Sequence, residues 1–224
     1  MIHYCLPLQL DDAETIESTI EKNEAQYTYF EIWLDFLPTP EAHLTRWCQR
    51  WPGRLLFLLR RPGLAPIQMP LQKRYALLRQ LASSDAWLDL DIHTQQDELS
   101  YLRTHALAPR LIASYHNYEA TPPDEQLTAI VEEMKQLRAD ICKLATYCQT
   151  PTDALRLMML GQQLSAHKEK HIVLGMGPYG TLTRVYGTLW GNEMIFAPQD
   201  PSQASAPGQL TYEQLQRMFA ILDH

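Results

Sequence analysis

Cysteine is scarce in this chain, and the spacings that turn it into a ligand set are missing. Its four cysteines, Cys5, Cys48, Cys142 and Cys148, form no CxxC pair and no ligand-like spacing with histidine. Zinc ribbons and fingers are thereby excluded. Nine glycines serve 224 residues, and the turn after the first apolar segment reads Pro7-Leu8-Gln9-Leu10, which offers no glycine-rich phosphate cradle. No apolar run approaches the ~20 residues of a membrane span, so no membrane is expected as a partner. Met1-Ile2-His3-Tyr4-Cys5 has no basic segment leading into an apolar core, so no signal peptide is expected. Reduced thiols and a cytoplasmic address follow. Positive charge is also short: 19 Lys and Arg against 26 Asp and Glu leave a net −7. That balance argues against nucleic acid as a partner. An anionic small molecule stays compatible, because a few arginines reverse the sign inside a cleft.

What the chain does have is alternation. Strand-like apolar segments are read at 3–8, 29–37, 54–60, 86–92, 110–116, 139–146, 171–176 and 194–198. Helical patterns fill the gaps: 11–25 behind the cap Asp11-Asp12, 40–51 opened by Pro40, 70–83, 95–105, 121–137 behind a cap at Thr121, 151–167 opened by Pro151, one from about Leu182, and 211–222. Residues 175–180 read as a loop. Eight strands alternating with eight helices, with no composition shift between them, predict an α/β chain forming a single (β/α)8 TIM barrel over residues 1–224. An open doubly wound sheet is the structural alternative.

In a barrel the C-terminal strand ends gather the functional groups. The polar residues read there are Glu31, Asp35, Arg60, Asp89, Asp91, His116 and Lys143, with Arg184 just past the seventh strand. Lys143 interrupts the alternating segment Ala139-Asp140-Ile141-Cys142-Lys143-Leu144-Ala145-Thr146. Facing a dry interior, its ammonium is costly, which favours a neutral, nucleophilic amine able to form a Schiff base. A snorkelling lysine at a strand end is the plain alternative. So too for the others: Glu31 and Arg60 can be an ion pair, His116 a satisfied histidine, and Arg184 part of a solvated face.

Four stretches, in order, carry a family resemblance: Ser114-Tyr115-His116-Asn117-Tyr118-Glu119-Ala120-Thr121-Pro122, Ala139 to Ala145, Gly180-Thr181-Leu182-Thr183-Arg184, and Ser205-Ala206-Pro207-Gly208-Gln209-Leu210. With them the chain resembles the type I 3-dehydroquinate dehydratases, Schiff-base enzymes of the shikimate pathway on a (β/α)8 barrel. The resemblance implies that Lys143 forms an imine with the C3 ketone of 3-dehydroquinate. It makes His116 the base and acid that removes the C2 proton and then protonates the departing C1 hydroxyl. Asp91 falls where the family carries a glutamate that orients the histidine. Glu31 and Arg60 match positions contacting substrate hydroxyls, Arg184 the carboxylate anchor, and Ser205 and Gln209 a loop that closes over substrate. The implied partner is that small molecule, the implied assembly a homodimer, and no metal or other cofactor is expected.

One departure stands out. The second strand reads Glu31-Ile32-Trp33-Leu34-Asp35, with Trp33 where the family has an arginine, and Arg61 is the candidate to fill that role. Two other readings therefore stay open: a Schiff-base lyase or aldolase with an altered carbonyl substrate, and a catalytically weak barrel that binds a ligand or protein.

Overall fold

The computed structural model describes residues 2–59 and 69–222. Strand and helix alternate: β1 (Tyr4–Leu8), α1 (Ala13–Asn23), β2 (Tyr29–Trp33), α2 (Leu44–Arg50), β3 (Leu55–Leu58), α3 (Leu71–Leu81), β4 (Trp87–Asp91) and α4 (Gln96–Thr104) come first. Then follow β5 (Arg110–Asn117), α5 (Asp124–Gln136), β6 (Ile141–Tyr147), α6 (Pro151–Ala166), β7 (His171–Met176), α7 (Gly177–Leu189), β8 (Ile195–Phe196) and α8 (Tyr212–Leu222). The sheet order is β7-β6-β5-β4-β3-β2-β1-β8. From β1 to β7 each strand lies beside its successor, and β8 pairs in parallel with β1 through Tyr4↔Ile195 and Cys5↔Phe196. A doubly wound sheet reverses its order at a switch point. This one runs in chain order with no reversal and brings β8 back beside β1, and the fold is a (β/α)8 barrel.

The chain groups into two compact units, Leu8–Ala113 and the remainder. In Leu8–Ala113, β2, β3 and β4 pair in register, with Glu31 opposite Leu56 and Leu58 opposite Asp89. Buried Trp47 donates its indole N–H to Glu17 at 2.6 Å, which fastens α2 to α1. Asp12 caps α1 as its position predicts, accepting from the Thr15 N–H at 2.7 Å.

In the other unit β6 and β7 run in register from Cys142↔His171 to Tyr147↔Met176. Here β6 departs from its period-two pattern. Every residue from Ile141 to Thr146 is buried, on both faces. A parallel strand with neighbours on each side has no solvated face, so Asp140 and Lys143 gave the sequence an alternation the packing does not share.

Three segments differ from their sequence reading. The segment 29–37 is a strand only to Trp33; Leu34–Phe36 make a 3-10 turn that the Leu37 N–H closes on Leu34 O, ahead of Pro38. Helix α7 starts at Gly177, directly after β7, rather than near Leu182. Gly177 takes φ +78° and Pro178 presets the next turn, so no loop is needed. Thr121 does not cap α5, whose first turn follows Pro123 without a side-chain cap; its hydroxyl has other partners, described below. No helix among the described residues is long and apolar enough to cross a membrane.

Candidate active site

Lys143 lies mid-strand in β6 and is 6 % exposed. Its Nζ sits 4.4 Å from the centroid of the Phe196 ring on β8. Two influences oppose each other there. Burial disfavours the ammonium, and the negative face of the ring favours it. By strand alternation Lys143 shares a face with Ala145 and Tyr147.

His116 is the penultimate residue of β5, the neighbour of β6 in the sheet. It is half-buried, with its ring nearly parallel to Tyr118, 14° between planes and 6.4 Å between centroids. The turn that follows is built to stay put. Asn117 Oδ1 accepts from the N–H groups of Glu119 and Ala120 at 2.9 and 3.0 Å. Thr121 Oγ1 donates to Tyr147 O at 3.0 Å and lies 2.9 Å from Thr146 Oγ1. Gln149 Nε2 donates to Glu119 O at 2.9 Å. The histidine's turn is thus tied by several bonds to the exit of the strand that carries the lysine.

Arg184 occupies the inward face of α7 and is 1 % exposed. Its Nη2 donates to Pro207 O at 3.3 Å, while Nε and Nη1 have no hydrogen-bond partner among the described residues. Burial pushes its pKa down to about 10, so it remains a cation at neutral pH. A buried guanidinium with two unmet donor groups costs several kcal/mol. Nearby Cys148 is no counter-ion, since burial raises its thiol pKa.

The loop 205–209 lies against the same helix. The Ser205 N–H donates to Gln209 Oε1 at 2.8 Å, and Gln209 Nε2 donates back to Ser205 Oγ at 2.9 Å. The two polar side chains expected from the sequence are brought together and cross-linked. Pro207 O, besides Arg184, accepts from the Gly177 N–H at 3.4 Å. The participation of Tyr147, Gly177 and the Pro207 carbonyl escapes sequence reasoning; only the glycines at 177 and 208, both at positive φ, leave any trace in the sequence.

In Leu8–Ala113 the remaining candidates have their own surroundings. Glu31 is buried, and Oε2 accepts the Trp33 indole N–H at 2.8 Å. The tryptophan therefore supplies a donor to this carboxylate, although it brings no charge. Asp35 lies 3.6 Å from Arg74 of α3, which also pairs with Glu98 of α4, all three buried. Asp91 closes the turn after β4: Oδ1 accepts from the N–H groups of His93 and Thr94 at 3.1 and 2.9 Å and from Thr94 Oγ1 at 2.8 Å. Arg60 and Arg61 lie outside the described residues.

The model of the family described as type I 3-dehydroquinase matches residues 4–224. A protein named 3-dehydroquinate dehydratase from Desulfotalea psychrophila is 29 % identical over 195 residues, 85 % of either chain. One of the same name from Aromatoleum aromaticum is 32 % identical over 169 residues, covering 72 % of this chain and 64 % of its own. The crystal structure of 3-dehydroquinate dehydratase from Geobacillus kaustophilus superposes with a TM-score of 0.83 at 24 % identity, covering 100 % of this chain and 91 % of that one. At that identity the superposition speaks for the fold.

Proposed function

The chain belongs to the type I 3-dehydroquinase family, and from that membership we propose that it dehydrates 3-dehydroquinate to 3-dehydroshikimate through an imine on Lys143. The reaction makes it a carbon–oxygen lyase of the shikimate pathway. The amine of Lys143 attacks the C3 ketone and expels water, leaving a protonated imine. That imine is an electron sink which acidifies C2. His116 removes a C2 proton to give an enamine, then returns a proton to the C1 hydroxyl as it departs. Water hydrolyses the imine and frees the lysine, so the net change is loss of one water. Arg184 takes the substrate carboxylate, and Ser205 and Gln209 cover it. Glu31, Arg60 and Asp91 keep the roles that the resemblance assigns them.

The observation that carries the reading is Arg184. A cation buried to 1 % exposure with Nε and Nη1 unmet is matched by an anionic, two-oxygen acceptor. Borohydride reduction in the presence of 3-dehydroquinate tests the proposal. A covalent adduct on Lys143 is expected, lost in Lys143→Met together with formation of the enone absorbance. His116→Gln should still be trapped while kcat falls by about 10²–10⁴. Trapping only with some other carbonyl compound would assign a different lyase, and no trapping at all a binding protein.

The proposal includes a homodimer. Helix α7 turns outward Tyr179, Leu182, Leu189 and Trp190, with no charged residue on its exposed face, and α8 adds Met218, Ile221 and Leu222. Seven such side chains, about half exposed, offer on the order of 600 Å² per copy, and a pair reaches the lower edge of specific interfaces. On a chain of net charge −7, the uncharged exposed face of α7 is also where two copies meet with least repulsion.

A further inference from the structure

We infer that Tyr147 is a positioning residue: its ring sets the height of the loop 205–209, and through that loop the alignment of Arg184. The inference rests on the reading of Arg184 as the anchor of an anionic substrate.

Tyr147 ends β6, opposite Met176 in register. The next residue after Met176 is Gly177, whose φ of +78° turns the chain into α7. The tyrosine ring lies close to the α-carbon of that glycine. A Cβ placed there would stand 2.8 Å from both Cε2 and Cζ of the ring. Against the peptide of the same glycine rests the loop. A Cβ on Gly208, itself at φ +81°, would stand 2.8 Å from Gly177 O. Ring, peptide and loop are therefore stacked without slack.

The Pro207 carbonyl is where this stack meets the site. It accepts from the Gly177 N–H at 3.4 Å and from Arg184 Nη2 at 3.3 Å. Both bonds are near the long limit of useful geometry, so a displacement of a few tenths of an ångström weakens each of them sharply. The backbone that carries the ring is held as well, because the Tyr147 carbonyl accepts from Thr121 Oγ1 at 3.0 Å. The stack thus has a fixed base at the strand, and the aromatic plane is the spacer between that base and the loop. The two nearest of these contacts are ring carbons and the hydroxyl stands farther off, at 3.1 Å, so the plane is expected to matter more than the hydroxyl. A smaller side chain would let the Gly177 peptide sink, draw Pro207 O away from Arg184 and leave the guanidinium free to swing off the carboxylate.

Three variants of the full chain test this: Tyr147→Phe, Tyr147→Leu and Tyr147→Ala. Steady-state kinetics on 3-dehydroquinate are combined with amide hydrogen exchange of residues 205–209 without ligand. Tyr147→Phe should match the parent within twofold in KM. Tyr147→Ala should raise KM about tenfold, the loss of one hydrogen bond to a charged group, with kcat within threefold. Its loop amides should exchange about tenfold faster. If Tyr147→Ala fails to fold, Tyr147→Leu carries the same expectation at smaller amplitude, since it keeps bulk without the plane. An unchanged KM and unchanged exchange in the folded variants would overturn the inference, as would a phenylalanine no better than leucine. Should the parent not turn over 3-dehydroquinate, the proposed function fails on its own. The exchange of the loop amides still decides the role of Tyr147.

Discussion

Replacing Arg184 by methionine should move stability and catalysis in opposite directions. The side chains are similar in length and both fill space, so the cavity term is small. In the ligand-free protein the exchange removes a buried cation whose Nε and Nη1 have no partner among the described residues and whose remaining bond, to Pro207 O, is 3.3 Å long. Losing that bond costs about 1 kcal/mol. Relief of the desolvation is worth more, and exchanges of buried charge for apolar side chains have stabilised by about 1–4 kcal/mol. The net expectation is a gain. Substrate binding should suffer: two charge-assisted bonds to a carboxylate at about 1.5–3 kcal/mol each amount to ~3–6 kcal/mol, or 10²–10⁴ in kcat/KM. Urea unfolding of the ligand-free protein and the rate of enone formation give the two numbers. A variant that is less stable yet turns over substrate with unchanged kcat/KM would refute the reasoning, because Arg184 would then be a structural cation after all.

Trp33→Phe keeps the ring but takes the indole donor from Glu31, leaving a buried carboxylate short of a bond found at 2.8 Å. A loss of about 1–3 kcal/mol in unfolding free energy is expected, with Trp33→Arg recovering part of it; equal stability of all three proteins would count against the pairing. Burial lowers the pKa of His171, whose Nδ1 lies 2.8 Å from Glu169 O. The unfolded chain therefore takes up a proton near pH 6.5 that the fold refuses, so stability should fall as the pH drops below that value. Denaturation at pH 7.5 and 5.5 should show a larger loss in the parent than in His171→Phe. Leu182→Glu places a carboxylate on the outward face of α7, where Leu182 is 53 % exposed. It should shift sedimentation from dimer to monomer without loss of fold, and a parent that sediments as a monomer would remove the dimer from the proposal.

Much of this was legible along the chain. The alternation of apolar segments and capped helices was enough for the barrel, because each βα unit is a local pattern and eight of them admit few topologies. Lys143, His116, Arg184, Ser205 and Gln209, the proposed site residues, each lie in one of the short contiguous motifs that carry the resemblance. Boundaries were less so. Helix α7 begins at Gly177 because a left-handed glycine permits an immediate turn, and that glycine in a one-dimensional reading looks like part of a loop.

What the sequence determined by itself was the order of the elements and the chemical kinds of group near the strand ends, since both depend on neighbours in the chain. The tertiary structure decided which partner each group has. Trp33 donating to Glu31, Asp35 held near Arg74, Thr121 bonded to the end of β6 instead of capping α5, and Pro207 O shared by Gly177 and Arg184 are facts of this sort. Hydrogen bonds and desolvation act over a few ångströms in space, and, apart from the bond between Trp33 and Glu31 two residues apart, these contacts join residues 23 to 39 positions apart along the chain. No period or spacing in the sequence encodes those distances.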